Sequence, residues 1–254
     1  MSEALQERAR IAPAEEIPSL IHHSSRDVIL ALLENPAFGE TSLCLLLERK
    51  DLPGEILEEI AQRKHFLKSY AVKRALALHA HTPRLVSMRL LRDLYLMDLV
   101  QVTLTPGVPA ELKRNAEDQL VSRLPQLPLG QKITLARRGP ARVAGALLVE
   151  GHPQPLAVVL DNPHLTEAQV LKALYRDTVS PSVVRAVASH SKWSRYYNVR
   201  LALVRNPAAS LSTVLAYLPE LTVSDLRELA APGIVPENLR KYLQAEIQRR
   251  TRAR

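Results

Sequence analysis

Val199-Arg200-Leu201-Ala202-Leu203-Val204-Arg205-Asn206-Pro207 decides how the chain is read. An apolar helical stretch runs directly into Asn-Pro. Asn tolerates the left-handed backbone that ends helices, and the proline after it cannot continue one, so the dipeptide reads as a helix stop. The arrangement also occurs about 44 residues earlier, where Ala157-Val158-Val159-Leu160 leads into Asn162-Pro163. A spacing of that size is typical of helical repeats.

A longer period contains the shorter one. Displaced by 127 residues, the chain matches itself without a gap: Glu34-Asn35-Pro36 falls on Asp161-Asn162-Pro163, Tyr70-Ala71-Val72-Lys73 on Tyr197-Asn198-Val199-Arg200, and Asp98-Leu99 on Asp225-Leu226. Loops kept their length along with helices, which points to a tandem internal duplication. The expected organisation is a flexible N-terminal segment over 1–19, a first half over 20–127, a connecting helical segment over 128–146 and a second half over 147–254, the halves forming one continuous domain. A basic tail (Arg249, Arg250, Arg252 and Arg254) ends the chain.

Helix starts are legible as well. Thr166-Glu167-Ala168-Gln169 is a capping box, in which Thr accepts from a first-turn amide and Gln reaches back. Thr82-Pro83 and Ser180-Pro181 place an N-cap before a first-turn proline. Ile56, Leu57, Ile60 and Ala61, like Val170, Leu171, Leu174 and Tyr175, form one apolar face on a short helix. Leu99-Val100-Gln101-Val102-Thr103-Leu104 alternates like a strand, but its counterpart over 226–231 reads as helix, and the gapless match predicts helix for both. Between the halves, 131–148 predicts a short helix pair broken at Gly139-Pro140. Such short helices are marginal alone and must stack on neighbours.

Composition agrees. Of 254 residues, 46% are hydrophobic and only 4% aromatic, with 8 Gly against 18 Pro, which suits short helices punctuated by stops better than a β-sandwich. The lone Cys44 cannot form an internal disulfide and reads as an apolar filler. The N-terminus lacks a basic-then-apolar leader pattern, and no apolar run approaches the roughly 20 residues of a bilayer span, so a cytoplasmic location is expected. A net charge of +8 permits an acidic protein, nucleic acid or an anionic membrane as partner, and serves solubility equally well.

The 199–207 string resembles the core of bacterial leucine-rich-repeat-variant and HEAT-like repeats, which carry Val-Arg-x-Ala-Leu/Val-Ala-x-Asn-Pro, a small-residue turn and a Leu-rich second helix, supplied here by Leu211, Val214, Leu215 and Leu218. Tyr70–Leu76 is a weaker copy, with His79-Ala80 where Asn-Pro would stand. The resemblance implies an all-α fold, a right-handed α-solenoid with a concave binding surface. It carries no activity, because repeat folds host many functions.

A search for chemistry finds little. Gly130-Gln131-Lys132 lacks the other glycines of a phosphate loop, and neither Gly-x-Ser-x-Gly nor His-Glu-x-x-His occurs. One Cys makes the usual structural zinc site impossible. The histidines read as solvated or capping groups, and a metal would require the fold to gather them. Asp98 and Asp225 each open a helix, where a carboxylate offsets the dipole. No catalytic residue, metal or cofactor is therefore assigned.

The basic residues are more suggestive. Positive charge recurs at equivalent positions in four pairs: Lys68 with Arg195, Lys73 with Arg200, Lys113 with Arg240, and Arg114 with Lys241. Lys132, Arg137, Arg138 and Arg142 cluster in the middle. On one face the pairs would make a stripe that tracks phosphates; alternatively, their stems cover apolar helix edges while the heads stay wet. Trp193, the sole Trp, stands with Arg195 and Tyr196. Its counterpart is Phe66, so the position reads either as core packing or, if exposed, as a binding hot spot or base-stacking surface. The expected function is a non-enzymatic scaffold holding a protein partner. The alternative is nucleic-acid binding through the repeated basic positions. An extension of that alternative would resemble HEAT-like alkylpurine DNA glycosylases, for which no matching catalytic residue is found.

Overall fold

The computed structural model describes residues 2–252; Arg254 of the basic tail lies outside them. The described residues are helical and contain no strand, Leu99–Leu104 included. The chain divides into two compact units, 1–120 and 121–254. The boundary falls inside a helix, not between the residues expected to separate the halves.

Unit 1 holds α1 (Ser2–Ile11), α2 (Ile17–Ile21), α3 (Arg26–Glu34), α4 (Glu40–Leu47), α5 (Gly54–Gln62), α6 (Tyr70–Leu78), α7 (Arg84–Leu90), α8 (Leu96–Leu104) and most of α9 (Ala110–Arg123). Unit 2 holds α10 (Leu129–Arg138), α11 (Ala141–Glu150), α12 (Pro153–Val159), α13 (Glu167–Leu174), α14 (Pro181–Ser189), α15 (Tyr197–Arg205), α16 (Leu211–Tyr217), α17 (Val223–Leu229) and α18 (Glu237–Arg252). The bounds of α1, α4, α5, α6 and α7 recur 127 residues later in α10, α13, α14, α15 and α16. Within unit 1, α1 packs on α3 and α3 on α5, while α2 packs on α4 and α4 on α6. Unit 2 repeats this order with α10, α12 and α14 in one row and α11, α13 and α15 in the other. The core lies between the rows; at the C-terminal end Val204, Val214, Leu218, Leu226 and Leu243 bring α15 to α18 together.

Where the sequence predicts a flexible segment over 1–19 the structure has α1 with α2, and the connecting helical segment expected over 128–146 holds α10 and the first part of α11. The strongly charged α1 hides its role because it docks through small residues: Ala9 is buried, as is Ala12 just past its end. The break at Gly139-Pro140 falls where expected, between α10 and α11.

The Asn-Pro stops work differently from the sequence expectation. Among the described residues none other than glycine has a positive φ, and Asn35 and Asn206 are extended, the conformation a following proline enforces. The buried side chain provides the stop instead. Asn35 Nδ2 donates to the carbonyls of Ala9 and Ala12, and its Oδ1 accepts from Ala37 N. Asn162 repeats the pattern on Ala136, Gly139 and His164. Asn35 and Asn162 thus follow their own helices, α3 and α12, and clamp the ends of α1 and α10, the preceding helices of the same rows, satisfying carbonyls that a helix end leaves open.

Caps fix the starts. Thr166, Ser180, Ser210 and Thr222 accept from amides of the first turns of α13, α14, α16 and α17. Two details depart from expectation. Thr82 does not open α7; its hydroxyl donates to Leu76 O at 2.7 Å and closes α6. Gln169 does not complete a box with Thr166; its carboxamide lies over Gly145 of α11, where any side chain would collide with it.

Candidate functional site

The paired basic residues fall into two kinds. Lys73 Nζ pairs with Asp93 at 2.7 Å, and Arg200 pairs with Glu220 at the matching place in unit 2. Each ties the first turn of α6 or α15 to the 3-10 turn that follows α7 or α16, so they are braces and not a free stripe. Arg240 is likewise held by Glu237 at 2.6 Å. Lys113 is half-buried and Arg114 exposed on α9. Lys241 is exposed, with its Nζ 5.1 Å from the Tyr242 ring centroid. Lys68 and Arg195 are exposed at the ends of the short 3-10 turns 66–68 and 193–195.

Trp193 is core. It is only 1% exposed, and its Nε1 donates to Leu160 O at 2.8 Å. Tyr196 packs on it with ring centroids 5.5 Å apart, and Lys192 Nζ sits 4.2 Å from the ring. In unit 1, Phe66 takes this place against Phe38. The structure therefore gathers Trp193, Arg195, Tyr196 and Arg200 around the turn before α15, with the indole as its base and not as a contact surface.

Asp98 and Asp225 belong to a matched latch. Tyr95 N donates to the Tyr70 hydroxyl, which donates to Asp98; Thr222 N donates to the Tyr197 hydroxyl, which donates to Asp225. Each latch ties α6 to α8 or α15 to α17. The Thr222 hydroxyl first, and Tyr197 second, hold the Asp225 carboxyl below its ordinary range. A depressed carboxyl contributes stability that is present above its unfolded pKa, about 4, and is lost as pH falls through the lower folded value. Asp225→Asn should therefore lower the melting temperature at neutral pH, and the gap to wild type should narrow once the pH is taken below the unfolded value of about 4. Parallel melts at the two pH values check this; an unchanging gap removes the latch from the acid response.

Three of the histidines are engaged locally. His79 Nε2 meets Arg49 O at 2.7 Å, His81 Nδ1 meets Leu52 O at 3.0 Å, and His190 Nε2 meets Asp161 Oδ1 at 3.1 Å. Among the described residues no three His, Cys, Asp or Glu side chains gather as metal ligands. Cys44 is partly buried; burial, then Glu40 and Glu48, push its thiol above the ordinary value, away from the reactive thiolate. No described helix is long and apolar enough to cross a membrane.

What the sequence search missed is where the charge lies. Residues 1–120 carry 15 Lys and Arg against 17 Asp and Glu, a net −2, whereas 121–254 carry 19 against 9, a net +10. The excess sits on positions that differ between the halves. Lys172 has Leu45 as its counterpart, Arg205 has Leu78 and Arg142 has Glu15. Arg142 and Lys172 line one hollow of unit 2 with Gly145 and Gln169. Arg205 lines a second, beside Tyr175, Asn206 and Ile234, and Arg176 borders both.

No family model matches the chain, and no curated protein or solved structure matches it.

Proposed function

We propose that the chain is a non-enzymatic binding scaffold, an α-solenoid of the HEAT-like or leucine-rich-repeat-variant type made by internal duplication, that holds an acidic protein partner on unit 2. The recurrence of helix bounds, Asn clamps and Tyr–Asp latches at one offset supports the duplication, and the alternate-row packing inside each unit supports the solenoid. The observation that carries the binding role is the charge split. Two units built on matching helices differ by 12 charges, unit 1 slightly acidic and unit 2 strongly basic, and solubility alone gives no reason for the halves to part in this way.

Nucleic acid is the second reading. The exposed Lys192, Arg195 and Tyr196 favour it, since a cation beside a half-open aromatic suits a stacked base. Against it stands the neutralisation of Lys73 and Arg200 by Asp93 and Glu220. Co-purification with the tagged full chain at low and high salt separates the two. A stoichiometric protein retained at low salt, and unaffected by nuclease, is the expected result. A nuclease-sensitive assembly, together with oligonucleotide affinity that falls steeply with salt, replaces the protein reading with the nucleic-acid one. Recovery of nothing at low salt removes both.

A further inference from the structure

We infer that the two hollows sharing Arg176, at the C-terminal end of α13, form one docking groove for an acidic peptide segment of a protein partner, its carboxylates meeting Lys172, Arg176 and Arg205 and its apolar side chains seated on Val149, Val179 and Ile234. This rests on the scaffold reading above and names the partner's chemistry.

The comparison of Arg176 with its counterpart is the first argument. Arg49 is a structural residue: its Nη1 donates to the carbonyls of Ile21 and His23 at 2.5 and 3.0 Å, and its Nη2 pairs with Asp51 at 2.7 Å. In unit 2, Asp51 is replaced by Thr178, and Arg176 is exposed with no ion pair among the described residues. The guanidinium that locks a loop in one unit is released towards solvent in the other. An Arg with no structural task, standing in the wall of two adjoining hollows of about 280 and 310 Å³, is placed to bind a carboxylate in forked geometry.

The second argument is the direction of the other changes. Lys172 lies one helical turn before Arg176 and is also exposed without an ion pair among the described residues. Lys172 sits in the last turn of α13 and Arg176 just past its end, where positive charge suits the helix dipole, so neither is costly to the fold. Lys172 stands where unit 1 has Leu45, so unit 2 has a second cation beside the one it shares with Arg49, and both heads are open to a ligand. Gly145 deepens the first hollow, because its missing side chain lets Gln169 settle against α11.

The third argument concerns the kind of anion. Asp177 lines the second hollow, and Glu228 stands 4.0 Å from Arg205. These carboxylates oppose a continuous row of phosphates. A peptide can place its acidic residues at Lys172 and Arg176 and its apolar ones on Val149, Val179 and Ile234, avoiding them.

The test is fluorescence anisotropy with the full chain and a labelled ten-residue peptide alternating Glu and Leu. An oligothymidylate of matched charge and a peptide with Lys in place of Glu serve as comparison probes. The Glu-Leu peptide should bind and the Lys-Leu peptide should not. Lys172→Glu/Arg176→Glu should weaken binding by roughly ten-fold or more, while Arg137→Glu/Arg185→Glu, an equal reversal elsewhere on unit 2, should change it less than about two-fold. All four residues are exposed, and circular dichroism should show both variants folded. Equal loss in the two variants, no loss in the first, or tighter binding of oligothymidylate through the same two residues overturns the groove. The failures are separable: a partner that co-purifies equally with wild type and Lys172→Glu/Arg176→Glu sinks the groove and leaves the scaffold.

Discussion

Trp193→Ala should destabilise unit 2 by about 3–5 kcal/mol. The indole is buried, so its removal leaves a cavity that Tyr196 and the stem of Lys192 only partly refill. It also strips Leu160 O of its donor, adding the cost of a carbonyl left without a partner. Trp193→Phe should cost less, about 1–2 kcal/mol, because Phe66 shows that the matching site accepts a phenyl ring, although Leu165 stands where Phe38 does in unit 1. The protein supplies its own probe: Trp193 is the only Trp, so indole emission reports unit 2 alone, and far-UV circular dichroism follows the variants. Wild-type emission should be blue-shifted and resistant to iodide quenching. Chemical denaturation that shows less than about 1 kcal/mol lost in Trp193→Ala, with quenchable wild-type emission, would return the residue to the role of surface contact.

The helices were readable in the sequence because their ends are marked by residues with few other uses: Thr166 and Ser180 at starts, Asn-Pro at stops. The 127-residue offset then carried each assignment from one half to the other. α1 escaped because a helix that docks through Ala9, with Ala12 buried just past its end, shows no broad apolar face. The mechanism of the Asn stops escaped because its acceptors, the carbonyls of Ala9 and Ala12 or Ala136 and Gly139, lie some two dozen residues upstream, in the preceding helix of the row.

The candidate site was hidden by the logic of the search itself. Positive charge shared by both halves selects what both folds need, and the structure shows Lys73 and Arg200 doing the same bracing task. Binding acquired by one half appears where the halves differ: Leu45 against Lys172, Leu78 against Arg205, and an Arg at 49 and 176 whose surroundings, not its identity, have changed. That last kind of difference is invisible in a paired alignment. Only the loss of Asp51 at Thr178, read beside the exposed guanidinium, reveals it.

Asn162→Ala should cost about 2–4 kcal/mol, the second large effect. Its amide donates to Ala136 O at 2.8 Å and Gly139 O at 3.1 Å, and its Oδ1 accepts from His164 N at 2.7 Å. The residue is 1% exposed, so truncation strands buried backbone groups that water reaches poorly. Asn206→Ala should cost about half as much, because that amide donates to the single carbonyl of Leu174 and accepts from Ala208 N. Asn162→Asp separates hydrogen bonding from packing. A carboxylate there has no proton for either carbonyl and faces two partial negative charges, so its folded pKa rises above the unfolded value of about 4. The sign follows: this carboxyl destabilises the fold above its raised pKa, and the loss is progressively relieved as pH falls toward 4, when the protonated acid can donate to one carbonyl. Denaturation of the three variants at neutral and mildly acidic pH should give the order Asp, Ala and then the Asn206 variant at neutral pH, with only Asn162→Asp recovering in acid. A pH-independent Asn162→Asp, or an Asn162→Ala loss no larger than that of Asn206→Ala, would mean that the amide fills space at the helix end without clamping the helix before it.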